Sequence, residues 1–191
     1  MWALIEDNTI TKIINNPKAM VIGDIQYSRN IFSFRWSNEE REAIGLYEVV
    51  FNNSNKKDEK YYTNTNQSFN FAGGVVTASF GTATAKALDD VTDEDDNVTL
   101  GLKSQKKAII KSQASGLLAP TDWYVIKATD VESYSVPSAV TTFRANVRTK
   151  SNTMETAIDN AANVDALAAL YVYNNENPPV RPLGEWPVLE V

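Results

Sequence analysis

Two side chains are missing altogether: the 191-residue chain contains no cysteine and no histidine. Without thiols no disulfide forms. Without either side chain there is no Cys/His zinc site, no histidine-ligated haem and no Cys- or Ser–His nucleophile. Histidine is also the side chain that most often moves protons near neutral pH. Any bond-making chemistry would therefore fall to carboxylates, lysines, tyrosines or a hard metal ion. Long apolar runs are lacking as well, and no window approaches the ~20 residues that a membrane span requires. The opening MWALIEDNTI has no basic segment and too short an apolar stretch for a signal peptide, so export by that route is not expected. Ala72-Gly73-Gly74 has no Lys-Ser/Thr after it and reads as a turn, not a phosphate loop. No repeat at solenoid periods is visible. These absences point to a protein that is not an enzyme and holds no cofactor.

What is present is enough for a packed core. A hydrophobic content of 43% with a net charge of only −6 separates the chain from disordered sequences. Its length suits one large domain or two small ones.

The first half reads as β-rich. The segment WALIE, the turn pair Asp7-Asn8 and the β-branched TITKII form a hairpin pattern, ended by Asn15-Asn16-Pro17. AMVIGDIQYS is a second β candidate. In RWSNEEREAIGLYEVVF, Ser37 followed by Glu40 is a capping box, and Gly45 supplies a left-handed stop, which places a short helix over 38–44. LYEVVF returns to strand, and NNSNKKDEK is a surface loop. The stretch from Lys60 to Leu88 is rich in Tyr, Phe, Thr and Val around a Gly73-Gly74 turn.

Charge then changes abruptly. Between Lys86 and Asn97 there are six acids and one lysine, while residues 98–150 carry eight basic and three acidic side chains. The acidic run is expected to be a solvated linker, with a Ca²⁺ loop as the alternative. It lacks the glycine and terminal glutamate of an EF-hand. After it, VTLGLKSQKKAIIKSQASGLLA has helical spacing. Leu102, Ile109, Ile110, Ala114, Leu117 and Leu118 lie on the apolar side, with Lys103, Lys106, Lys107 and Lys111 on the wet side. These lysines read as a solvated face or as partners of the acidic run, not as a nucleic-acid stripe. Pro120 closes the helix, Trp123 folds back as core, and WYVIKA reads as a short extended run. Pro137 opens another helix, with Val140, Phe143 and Val147 on one face. Asn152 with Glu155 has the form of a further cap. The stretch to Tyr173 then reads as one helix or two short ones, broken near Asn163.

The C-terminal segment is of another kind. Four of the seven prolines fall within the last fourteen residues, which excludes helix. Yet Val180, Leu183, Trp186, Val188, Leu189 and Val191 are too apolar for a free tail. The segment reads as an arm that docks on its own body or on a neighbour. The expected fold is therefore α+β. It comprises a β-rich module over 1–88, an acidic linker over 89–97, a helical module over 98–173 and an extended arm over 174–191.

Two blocks carry a resemblance. WSNEEREAIGLYEV, an aromatic before a capped helix and a strand, is similar to a stretch common in virion proteins of tailed bacteriophages. GLLAPTDWYVIKATD, followed by VPSAVTTFRANVRTKSNTMETAI, resembles the C-terminal region of phage tail-fibre and tail-fibre-assembly proteins. The matching residues are Leu117, Leu118, Thr121, Asp122, Trp123, Pro137, Phe143, Arg144 and Arg148, with Phe143 where Tyr or Trp is more usual. Together the blocks span roughly half the chain. The resemblance implies a structural or assembly protein of a phage tail, without catalysis.

On this reading the chain acts through contacts at a baseplate or tail-fibre attachment. Its partners are other virion proteins and further copies of itself, not nucleic acid or membrane. Its location is the virion, after assembly in the host cytoplasm. Alternatives are a tail-fibre assembly chaperone and a carbohydrate-binding receptor module whose strand aromatics stack on sugars. The expected contact residues are Val180, Leu183, Trp186 and Leu189 on the arm, and Tyr61, Tyr62, Phe69 and Phe71 on the β surface. Arg144 and Arg148, one helical turn apart, either grip a partner carboxylate or pair with Asp122 or Asp130 internally.

Overall fold

A computed structural model describes residues 1–65 and 67–190. The chain is α+β and divides into two compact units, Met1–Thr84 and Ala85 onward.

In the first unit, Trp2–Glu6 (β1) and Thr9–Ile14 (β2) form an antiparallel hairpin. Asp7 and Asn8 both take positive φ, 48° and 62°, as a two-residue turn matched to strand twist requires. A second hairpin joins Met20–Ile22 (β3) to Ile25–Tyr27 (β4). Next come a 3-10 turn at Arg29–Phe32 and the short helix α1, Asn38–Glu42. The capping box is present in both directions: Ser37 Oγ accepts from Glu40 N at 3.2 Å, and Ser37 N donates to Glu40 Oε2 at 2.7 Å. Gly45, at φ 78°, turns the chain into Leu46–Asn52 (β5). Tyr62–Thr63 (β6), Ser68–Ala72 (β7), Val75–Ser79 (β8) and Thr84–Ala85 (β9) follow, with β6 beside β9.

The main sheet has the order β2-β1-β5-β8-β7, with β5 and β8 parallel. It curls until its edge strands β2 and β7 touch. One face packs Ala3, Ile5, Val49, Val76 and Ala78 against Ile10, Ile13, Tyr47, Phe69 and Phe71. The other packs Ile14, Leu46 and Ile31 against Trp2, Phe32, Trp36 and Ile44. Arg41 pins this second layer. Its Nε donates to Ile31 O at 2.8 Å, its Nη1 to Asn38 Oδ1 at 2.9 Å and its Nη2 to Ser33 O, and the guanidinium lies 4.8 Å above the Trp2 ring.

The second unit opens with the acidic stretch, which is not a linker. Val91–Thr92 (β10) and Val98–Thr99 (β11) pair as a hairpin. Its turn is closed by Asp93 Oδ1, which accepts from the backbone of Asp95 and Asn97 at 2.9 Å each. Helix α2 (Leu102–Leu118) continues through a 3-10 turn, Ala119–Thr121, into helix α3, Asp122–Asp130. The expectation of an extended run over WYVIKA is thus corrected. Pro120 sits within the 3-10 turn and redirects the helix without ending helical structure. Six residues of apolar character are also too few to separate a period of two from one of 3.6.

Helix α4 runs unbroken over Ser138–Asp159. The cap expected at Asn152 does not form, because the stripe Val140, Phe143, Val147, Ser151, Met154 and Ile158 stays in helical phase across it and is buried throughout. The break falls at Asn163, whose Oδ1 accepts from Ala166 N at 2.8 Å to cap helix α5, Val164–Ala169. Helices α2 and α4 pack together, tied by Lys107–Asp159 at 2.7 Å and Lys111–Glu155 at 3.5 Å.

Candidate interaction surfaces

The arm lies on its own unit. Leu183, 2% exposed, donates its N–H to Leu170 O at 3.0 Å. Trp186 and Leu189 pack on Ala114, Phe143 and Val147, and the indole N–H of Trp186 reaches Gln113 Oε1 at 3.1 Å. Of the four arm residues expected at a partner surface, only Val180 is largely exposed. The expected aromatic patch on the β module is corrected in the same way. Tyr61 and Tyr62 are 6% and 8% exposed, and burial, with Asp58 nearby, pushes the Tyr61 hydroxyl pKa up. Phe69 and Phe71 turn into the core, where Phe71 meets Tyr47 edge-on at 4.9 Å. These four rings are the ones on which sugar stacking would have relied.

Arg144 takes the internal alternative. Its Nη1 reaches Asp122 Oδ1 at 2.8 Å, Thr121 Oγ1 at 2.6 Å and Leu118 O at 3.1 Å. Arg148 is exposed, and its Nη1 reaches only the Arg144 carbonyl, at 3.4 Å, among the described residues.

Next to this clamp, Trp123, which the sequence reading assigned to the core, lies on an exposed helix face. Helix α3 has no buried residue. Its inner side, Tyr124 and Ala128, is partly covered, while Trp123 (50% exposed) and Ile126 (61% exposed) face outward together with Lys127 and Asp130. Positions 123, 126, 127 and 130 follow the i, i+3, i+4, i+7 spacing of one helix face. Trp123 is held at a fixed angle, with its ring 3.8 Å from Tyr124 and the Lys127 ammonium 5.9 Å above it. Lys127 lies closer still to Tyr134, at 4.3 Å. Val125 and Val131 extend the apolar exposure. In the first unit, Phe34 is 95% exposed.

The acidic hairpin has a structural task. Asp90 accepts from Gly101 N at 2.8 Å and from Ser104 Oγ at 3.0 Å, and so caps the start of α2. Those bonds hold its carboxyl below the usual range. Asp93 is lowered likewise by the Asn97 backbone and side chain. Asp89 meets Lys103 at 3.1 Å. No group of three or more carboxylates is placed to hold a metal ion among the described residues. No helix among them is long and apolar enough to cross a membrane. No family model, no curated protein and no solved structure matches the chain.

Proposed function

We propose that the chain is a non-enzymatic structural protein of a bacteriophage tail, acting at a baseplate or tail-fibre attachment by contact with other virion proteins. The observation that carries this reading is the exposed apolar face of α3. Large apolar side chains on a helix are normally buried, whereas Trp123 and Ile126 face outward from a helix whose first residue is held by Arg144. Exposed aromatic and aliphatic residues on a rigid base are the usual material of an interface centre. The residues of the clamp, Leu118, Thr121, Asp122 and Arg144, are also those that resemble the TDW corner of tail-fibre proteins, and this supports placing the contact in a tail.

The test is a chain carrying Trp123→Ala and Ile126→Ser, expressed in place of the original during particle assembly. Mass spectrometry of purified particles should find the original chain at stoichiometric copy number and the variant strongly depleted, with unchanged melting of the isolated variant. Equal incorporation of both would remove α3 from the interface. Absence of the original chain from particles, together with binding to an unassembled fibre protein, would assign the chaperone role.

A further inference from the structure

We infer that the groove between α2 and α4 is a docking site for the C-terminal arm of a second copy of this chain. The inference concerns a surface separate from α3 and does not depend on the tail assignment.

The structure shows what the groove binds, because the chain's own arm occupies it. The occupant is a short proline-bracketed segment, Arg181 to Leu189. It packs Trp186 and Leu189 on the helices, buries Leu183, and adds two polar anchors, at Leu170 O after α5 and at Gln113 Oε1. The segment arrives with its shape already set. Gly184, at φ 76°, closes a turn by donating to Arg181 O at 2.8 Å, and Arg181 pairs with Glu185 at 2.9 Å. A preorganised ligand loses little entropy on docking, whichever chain it belongs to.

The connection to the body is built differently. Every residue from Val172 to Val180 is exposed and contributes nothing to the core. Asn174 draws the loop together, its N–H donating to Val180 O at 2.8 Å and its Oδ1 accepting from Val180 N at 2.9 Å, while Tyr173 at the start of the loop meets Glu185 and the Arg181 guanidinium, 5.3 Å from its ring. Releasing that clasp leaves the groove contacts intact and frees seven residues. At about 3.3 Å per residue they give the arm roughly 20 Å of reach. Exchange between two copies therefore conserves the Leu183, Trp186 and Leu189 contacts, gives up the clasp and re-forms the Tyr173 contacts with Arg181 and Glu185 between the copies. The exposed Val172, Tyr173 and Val180 sit at the crossover point, where two exchanging chains would cover one another. Closure onto the chain's own groove is favoured by an effective concentration on the order of 1 mM. Exchange belongs to conditions where copies are held at comparable density, as in an assembly.

The test has two arms, both on the full-length chain. In the first, Trp186→Ala with Leu189→Ala weakens the resident arm. A synthetic peptide of residues 179–190 should then bind saturably, and the same peptide carrying both substitutions should not. If the double variant loses its helical circular dichroism, Trp186→Ala alone replaces it. In the second, Asn174→Pro removes both the backbone N–H and the side-chain acceptor and so opens the clasp. Light scattering up to about 1 mM should show dimers or larger species, which return to monomer when Trp186→Ala and Leu189→Ala are added. Failure of the native peptide to bind would overturn the acceptor site. A chain with Asn174→Pro that stays monomeric to that concentration would overturn exchange and leave the arm a private strap.

Discussion

Arg144 and Asp122 meet at 2.8 Å, and through that contact helix α4 fixes the corner where α2 turns into α3. The ion pair is the visible part of the joint and the smaller part of its energetics. Asp122 is half exposed, whereas the arginine side chain is mostly buried and also reaches the Leu118 carbonyl and the Thr121 hydroxyl. Leu118 ends α2, so its carbonyl is one of the groups a helix C-terminus leaves without an intrahelical donor. Arg144 supplies a charged donor there, beside the Thr121 hydroxyl, which reaches the same carbonyl at 2.7 Å.

Replacing Arg144 with alanine should lower the stability of the second unit by about 1–3 kcal/mol, because the part-buried Leu118 carbonyl and Thr121 hydroxyl lose a charged donor. Asp122→Asn should cost less than about 1 kcal/mol, as expected for a solvent-screened pair. Urea unfolding followed by the helical signal, which comes mainly from the second unit, measures both. Equal costs would mean that the ion pair, not the carbonyl and hydroxyl bonds, holds the corner.

Two glycines should respond in opposite directions to alanine. Gly45 sits at φ 78°, and a Cβ there would lie 2.4 Å from Ile5 O, on a backbone already bonded to Gly45 through Ile5 N. Gly45→Ala should therefore destabilise the first unit by more than about 1 kcal/mol. Gly116 lies on the exposed side of α2 with nothing within 4 Å of an added Cβ. Gly116→Ala should stabilise the second unit by about 0.5–1 kcal/mol. Thermal unfolding of the two variants reads both signs.

Local chemistry was legible in the sequence where one short pattern decides the structure. Asp7-Asn8, Ser37 with Glu40, Gly45, Gly73-Gly74 and Asn163 all act as read, because each is settled by backbone geometry within a few residues. Tertiary choices were less legible. Trp123 was read inward because a large apolar ring usually goes there, yet it lies half exposed on a helix whose first residue, Asp122, is paired with Arg144 far along the chain. Asn152 with Glu155 has the composition of a cap, but the buried stripe from Val147 to Met154 carries α4 through it. The six acids looked like a linker because their charge says nothing of Asp90 bonding Gly101 or Asp93 closing a turn. Tyr61 and Tyr62 looked like surface because aromatic strand residues serve cores and interfaces alike.

The acidic hairpin should give the second unit a pH-sensitive entrance. Asp90 and Asp93 are both held below their usual value by hydrogen bonds to their charged forms. A depressed folded value means that the stabilisation is complete above the unfolded value, ~3.9, and fades as pH falls below it. Between about pH 4 and pH 2, the protection of the Gly101, Asp95 and Asn97 amides against hydrogen exchange, relative to unstructured amides at the same pH, should therefore fall before the centre of α4 responds. In Asp90→Asn the side-chain oxygen can still accept from Gly101 but no longer titrates. The protection of the Gly101 amide, taken relative to an unstructured amide at the same pH, should in that variant no longer fall with pH, and if it still falls, the capping bond is not the cause.

Met154 and Trp123 separate what holds this chain together from what it offers to others. Met154 is wholly buried in the stripe between α4 and its neighbours, so Met154→Ala removes packed volume that cannot collapse fully and should cost about 2–5 kcal/mol. Trp123 is the larger side chain, yet half of it faces water and its contacts are Tyr124 and Lys127 on the same helix. Trp123→Ala should change unfolding free energy by no more than about 0.5 kcal/mol. If α3 is the contact surface, the same substitution should markedly reduce incorporation into particles, whereas Met154→Ala should reduce it only in proportion to the folded chain that remains. Measuring soluble folded protein and particle occupancy side by side distinguishes the two. A Trp123→Ala chain that unfolds like Met154→Ala would place the indole in the core and withdraw the interface from α3.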